Sequence, residues 1–350
     1  MSANISSIFF VDDIVLLGKS TEAFNDLMRI TRTFFLNHHL DLSETKSKIM
    51  TSSAATGKVK FLGSSNLSSL TLEQVVSFKY LGIPLSTSPY GFFRSFNDQV
   101  KTKANNYLHS VLSLVRTGPD RSDLAHALWT RCALPSILYG SEIIPLNQGT
   151  IHEIEKCQTI VGKFILQLPR NSTNVSVYID AGLKPVWAMI AERVLNYASN
   201  VMSKPPSFWP KLAMGENLSL GEKSPYLKYL IKWKEATNFP GPNRKQIRNS
   251  VTHAAISSVL AEQKTSCVTS FAMNCPYSTD WFKPKPWVND SCFSKILSEF
   301  RSCNAGLGNR GPTKDGRFFK LCPLCSGANV NSINNEVSFN SILFPFPCFH

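Results

Sequence analysis

An α+β fold is predicted for these 350 residues on three observations. Short β-prone runs separated by turn residues fill positions 1–88 around a single amphipathic stretch. From Pro89 onward, apolar residues recur with the 3.6-residue period of helices. Beyond residue 203 that period gives way to Pro, Gly, Trp and Cys with a surplus of positive charge. The predicted organisation has four parts. Residues 1–88 form short antiparallel strands with one helix, and 89–203 form a helical region. Residues 204–320 form a basic, loosely ordered region, and 321–350 an irregular tail.

The first strand is expected in Ile8-Phe9-Phe10-Val11 and the second in Ile14-Val15-Leu16-Leu17, with Asp12-Asp13 as the turn between them. Gly18 ends the pair, and Ser20 or Thr21 caps a helix. Phe24, Leu27, Met28, Thr31, Phe34, Phe35 and His38 share one face of that helix, which ends near His39. Leu40 and Leu42 alternate with polar residues up to Ile49-Met50. Residues 51–57 are a Ser/Thr/Ala loop, and Phe78 to Leu85 reads as a hairpin strand ending in a turn. Phe96, Val100, Ala104, Tyr107, Leu108, Val111 and Val115 line the next helix, which Gly118-Pro119 breaks. Ser122 is expected to cap a helix carrying Leu124, Leu128 and Cys132 inward. Thr150 is expected to cap another, with Ile151, Ile154, Val161, Phe164, Ile165 and Leu168 inward. Further helices are predicted from about Pro185 to Met202 and near 246–264. No repeat of fixed period is present.

Composition narrows the function. Lys and Arg total 37 against 24 Asp and Glu, a net charge of +13, with 43% hydrophobic residues. That is a globular composition, and its charge suits a polyanionic partner. The charge is uneven. Residues 241–320 hold 12 basic and 5 acidic residues, and 321–350 hold no Lys or Arg. No apolar run reaches the ~18 residues of a membrane-spanning helix. Met1–Phe10 lacks the basic start of a secretory signal. An intracellular location, nuclear or cytoplasmic, is therefore expected, with the nine cysteines reduced.

Three groups of residues carry candidate chemistry. Asp12 and Asp13 would present carboxylates, the hard oxygen donors that Mg²⁺ prefers. An isolated Asp pair in a turn is usually just solvated, but here two apolar strands flank it. Cys322 and Cys325 form a C-x₂-C pair, which offers two of the four ligands of a structural Zn²⁺ site. Arg244, Lys245 and Arg248, and Arg310, Lys314, Arg317 and Lys320 beside Phe318-Phe319, suit phosphate contacts with base stacking.

The order of these motifs resembles one family. Phe10-Val11-Asp12-Asp13 followed by an amphipathic helix is similar to the catalytic hairpin of reverse transcriptases. Lys46-Ser47-Lys48-Ile49-Met50 and then Phe78-Lys79-Tyr80-Leu81-Gly82 resemble the next two elements of the non-LTR (LINE-type) retrotransposon branch. Leu134-Pro135, Leu138-Tyr139-Gly140-Ser141-Glu142 and Leu168-Pro169-Arg170-Asn171 resemble its thumb and connection. Cys303 to Arg310 and Cys322-Pro323-Leu324-Cys325 resemble its C-terminal segment and knuckle. The resemblance implies a partial polymerase palm over 1–88, a mostly helical thumb and connection over 89–203, and an irregular C-terminal region.

By the same resemblance, Asp12 would be a ligand of catalytic Mg²⁺, with Asp13 its less strictly required neighbour. Lys46 would protonate the leaving pyrophosphate. Phe78, Lys79, Tyr80, Leu81 and Gly82 would lie against the primer strand. RNA template and DNA target or primer would be the partners.

Two departures qualify these expectations. The family carries a first catalytic Asp on a separate strand well before the Asp-Asp hairpin, and only nine residues precede Phe10 here. The chain is thus expected to be the C-terminal part of a retrotransposon-derived RNA-directed DNA polymerase, inactive alone, with an open palm edge available for pairing. The knuckle is expected to be degenerate, because Ser338 or a neighbour stands where a His would be and Zn²⁺ would lack ligands. The alternative reading is a noncatalytic nucleic-acid-binding remnant of a transposable element.

Overall fold

In the computed structural model of the chain, residues 6–51, 57–61, 68–116, 121–239 and 241–262 are described. The fold is α+β: small sheets and one helix precede a run of helices. The chain divides into two compact units between Phe96 and Asn97.

In the first unit, β1 (Ser7–Phe10) and β2 (Asp13–Leu16) form an antiparallel hairpin. Helix α1 (Thr21–Asn37) follows, and the Ser20 side chain caps it by accepting from the Ala23 N–H at 3.2 Å. A three-stranded sheet has the order β3 (Lys48–Ile49), β5 (Leu70–Gln74), β4 (Gly57–Phe61). β5 is central, parallel to β3 and antiparallel to β4. No strand is predicted between 51 and 77, yet β4 and β5 are there. Lys58-Val59-Lys60-Phe61 alternates too briefly to stand out, and tertiary burial secures the pairing. Met28, Ile49, Leu70 and Leu72 form the core, with Leu16, Phe24, Leu42, Val59 and Phe61 against it. The helix stripe is only partly used: Phe34 and His38 are exposed and lie ring to ring at 4.3 Å. A second hairpin, β6 (Ser77–Tyr80) and β7 (Ile83–Ser86), completes the unit.

Helix α2 (Pro89–Leu114) spans the division between the units. Phe96, Val100, Ala104, Leu108 and Val111 on it, and Val115 just past its end, are buried, and the i+3/i+4 spacing puts them on one face. Helix α3 (Arg121–Ala127) continues into a π-helical segment, Leu128–Ala133, and then α4 (Leu134–Ile137). Here the expected inward face is corrected. Ala125, Trp129 and Ala133 are buried, while Leu124 and Cys132 are exposed. The large indole wins the interior position, one residue out of step with the Leu/Leu/Cys stripe. Ser122 lies inside α3 rather than capping it, and its hydroxyl donates to the Ile165 carbonyl at 2.8 Å.

Helix α5 (Gln148–Ile165) is capped by Asn147, whose side chain accepts from the Thr150 N–H at 2.8 Å. Thr150, the expected cap, is buried in the first turn. The Asn147 N–H donates to Asn97 at 2.9 Å. Helix α6 (Val175–Ile179) packs closely on α5: a Cβ placed on Gly162 would lie 2.3 Å from Val177 Cγ1. Helix α7 (Val186–Met202) matches its expected span. Residues 204–262, read from composition as loosely ordered up to a helix near 246, carry three helices: α8 (Trp209–Ser219), α9 (Pro225–Ala236) and α10 (Arg244–Glu262). Ile247, Val251, Ala255 and Val259 form a buried stripe on α10. That stripe, more than local composition, holds this region in order. No helix among the described residues is long and apolar enough to cross a membrane.

One pH effect follows from the second unit. Burial pushes the half-buried His126 imidazole below its ordinary pKa; the neighbouring Asp123 opposes this and Arg131 adds to it. The folded unit therefore binds fewer protons than the unfolded chain around the free value of about 6.5. Stability should be unaffected by this group above about pH 7 and fall as pH drops through 6.5 toward the folded value. Urea midpoints across that range test this, and His126→Gln should flatten the profile. An equally steep profile in the variant would refute the assignment.

Candidate nucleic-acid interface

The β1–β2 hairpin turns through Val11 and Asp12, because Phe10 pairs directly with Asp13. The predicted two-Asp tip is therefore corrected by one residue: Asp12 occupies the turn and Asp13 opens β2. Val11 has φ 52°, a left-handed conformation that costs an L residue roughly 1–2 kcal/mol. Both carboxylates are exposed, as are Ile8, Phe9, Phe10 and Val11. The hairpin is a two-stranded sheet of its own. The two apolar strands that flank the acids therefore do not set them in a buried sheet.

The donor set of this hairpin is too small for a pair of magnesium ions. Mg²⁺ keeps several waters and takes one or two carboxylates per ion, and two ions would have to share the two carboxylates of a single exposed hairpin. Among the described residues, no group of three His, Cys, Asp or Glu side chains is placed to hold a metal. The residues do not fit a two-ion centre, and no step of chemistry is assigned to them.

Lys46 is exposed in a turn just before β3, whereas its neighbour Lys48 pairs with Glu73 across β3 and β5. That ammonium, by hydrogen bond and charge, holds the Glu73 carboxyl below its ordinary pKa. Phe78 to Tyr80 lie on β6, in a third sheet separate from those of Asp12–Asp13 and Lys48.

The β6–β7 hairpin has a defined local cause. Leu81 (φ 47°) and Gly82 (φ 84°) are both left-handed, the pattern of a tight type I′ turn whose twist matches that of paired strands. Tyr80 pairs with Ile83 and Lys79 with Pro84. Alternation from the turn makes Lys79–Pro84 a non-hydrogen-bonded pair, so the N–H that proline lacks would have pointed away from β6. Lys79 is exposed, and Phe78 and Tyr80 are half-buried on the other face. The hairpin thus presents one ammonium on a rigid support. The predicted turn after Leu85 is corrected to Leu81-Gly82, in mid-segment.

In the second unit, Arg244, Lys245 and Arg248 lie exposed in the first turns of α10, with Ile247 between them fully buried. Cations at a helix start oppose the helix dipole, and Arg244 and Arg248, one turn apart, repel each other. None of the three forms an ion pair with a described residue. Between 204 and 262 the sequence has nine basic and four acidic residues, a surplus of five. Sequence reasoning did not single out Lys228 and Lys232, exposed one turn apart on α9; their i,i+4 spacing was the available signal. Arg310, Lys314, Arg317, Lys320, Cys322 and Cys325 lie outside the described residues.

No family model matches this chain, nor does any curated protein or solved structure.

Proposed function

We propose that this chain is part of a LINE-type retrotransposon reverse transcriptase, the part that holds RNA template and DNA primer, and that it does not polymerise by itself. The carrying observation is the β6–β7 hairpin. Its left-handed Leu81-Gly82 turn stiffens a support on which Lys79 is exposed, in the segment that the resemblance assigns to the primer strand. The unpaired cations of α10 add sequence-independent attraction to phosphate. The β1–β2 hairpin would contribute acids only alongside ligands from another strand, and the outer edge of β1 is where such a strand can pair.

The test has two arms on the full chain. A labelled RNA–DNA primer–template hybrid should bind with an affinity that falls steeply between about 50 mM and about 200 mM salt. Lys79→Ala should weaken it and reduce the log–log salt slope by about 1. Primer extension with Mg²⁺ or Mn²⁺ should yield no incorporation. Measurable incorporation would overturn the noncatalytic assignment, and absence of binding at low salt would overturn the whole reading. A second reading, a nucleic-acid-binding remnant of a transposable element, rests on the α10 cations alone. It expects the same binding with no dependence on Lys79.

A further inference from the structure

We infer that Phe208 and Trp209 form a stacking platform for unpaired bases of a single-stranded nucleic acid. This rests on the reading above that the chain binds nucleic acid, and it adds the state of the strand and the groups that meet it.

Trp209 is the exception among the described tryptophans. Trp129 and Trp233 are 0% and 3% exposed and Trp187 is half-buried, whereas Trp209 is 45% exposed and the adjacent Phe208 39%. Large rings left in water forgo the stabilisation of burial, so their exposure side by side calls for a partner.

The segment that carries them is held in place. The Phe208 N–H donates to the Pro205 carbonyl at 3.0 Å, and the Phe208 carbonyl accepts from Lys211 and Leu212 N–H at 2.9 and 3.1 Å. The Lys211 ammonium reaches back to the carbonyls of Met202 and Lys204, each at 2.7 Å. Pro205 and Pro206 restrict the backbone further. Little ordering entropy then remains to be lost when a ligand docks.

Charge selects the ligand. Lys204 is exposed four residues before Phe208. The surplus of five positive charges over 204–262 has no ion pair among the described residues. Flat rings with an exposed cation four residues away along the chain suit stacked bases joined by phosphates. A membrane surface would call for a long apolar helix face, whereas α8 has eleven residues and exposes Gly215, Glu216 and Asn217.

The experiment uses the full chain, a fluorescein-labelled oligothymidine and the hybrid duplex above. Trp209→Ala should weaken oligothymidine binding about five- to 150-fold, in line with the loss of one stacked base. Trp209→Phe should retain most of the affinity, and the hybrid should be affected less than the single strand. Far-UV circular dichroism establishes that the variant is folded; Trp209→Leu, which keeps apolar bulk but removes the flat ring and should weaken oligothymidine binding similarly, carries the test if the alanine variant is not. If the hybrid binds with its Lys79 dependence but Trp209→Ala leaves oligothymidine unchanged, the platform is refuted and the wider reading stands. If no nucleic acid binds, both fall. Trp209-dependent binding to phosphatidylserine vesicles with unchanged oligothymidine binding would reassign the rings to a lipid surface.

Discussion

Trp129→Ala is expected to lower the unfolding free energy of the helical unit by about 3–5 kcal/mol, the range for deleting a large buried ring. Trp129 is fully buried on the π-helical segment, and its indole N–H donates to Gln158 Oε1 on α5 at 3.4 Å. The substitution would open a cavity and leave that amide oxygen without its donor, each cost adding to the other. Trp129→Phe fills most of the space and should lose only about 1–2 kcal/mol. Urea unfolding followed by far-UV circular dichroism would show a lower midpoint at unchanged slope. A loss below about 1 kcal/mol for the alanine variant would mean that the ring is not part of the core.

The second large effect belongs to Glu155. Its carboxylate accepts from the Tyr178 hydroxyl at 2.9 Å, from Gln158 Nε2 at 3.2 Å and from the Val186 N–H at 2.6 Å. It thereby joins α5 to α6 and to the start of α7. Pro185 at the cap of α7 has no side chain able to accept from the first N–H groups, so an acid from another helix does so, where the dipole favours negative charge. Glu155→Ala removes the acceptor of three hydrogen bonds, although Gln158 Nε2 keeps the Lys184 carbonyl at 2.9 Å, and should cost about 2–4 kcal/mol. Glu155→Gln keeps an acceptor oxygen but loses the charge, and about 1–2 kcal/mol is expected. Because Glu155 and Trp129 share Gln158, their double variant should lose less than the sum of the single losses. Strict additivity would show that the two groups are not linked through that amide.

Some elements were legible because one physical cause dominated them. The stripes of α2 and α5 follow the helical period so closely that burial and propensity agree, the span of α7 was also legible, and Ser20 does cap α1. Where two causes competed, the sequence was ambiguous. Asn147 and Thr150 can each cap α5, and the contact of Asn147 with Asn97 on α2 decides. The three-stranded sheet was illegible because its strands are short, and Leu70 and Leu72 become strand residues through burial under Met28.

The candidate site divides in the same way. Phe78-Lys79-Tyr80-Leu81-Gly82 could be read as a hairpin, but the place of its turn came from two left-handed residues. Asp12-Asp13 could be read as an acidic hairpin, but not its isolation from the other strands. The exposure of Phe208 and Trp209 had no sequence signature, since residue type alone does not say whether a ring is covered.

Sequence alone determined the α+β class, the basic surplus and the buried faces of α2 and α5, because those depend on residue type and spacing within one element. Only tertiary structure decided which aromatic rings are buried, which strands share a sheet and which cations remain unpaired. Those outcomes depend on what arrives from distant parts of the chain to exclude water or supply an opposite charge, and no local pattern encodes that arrival.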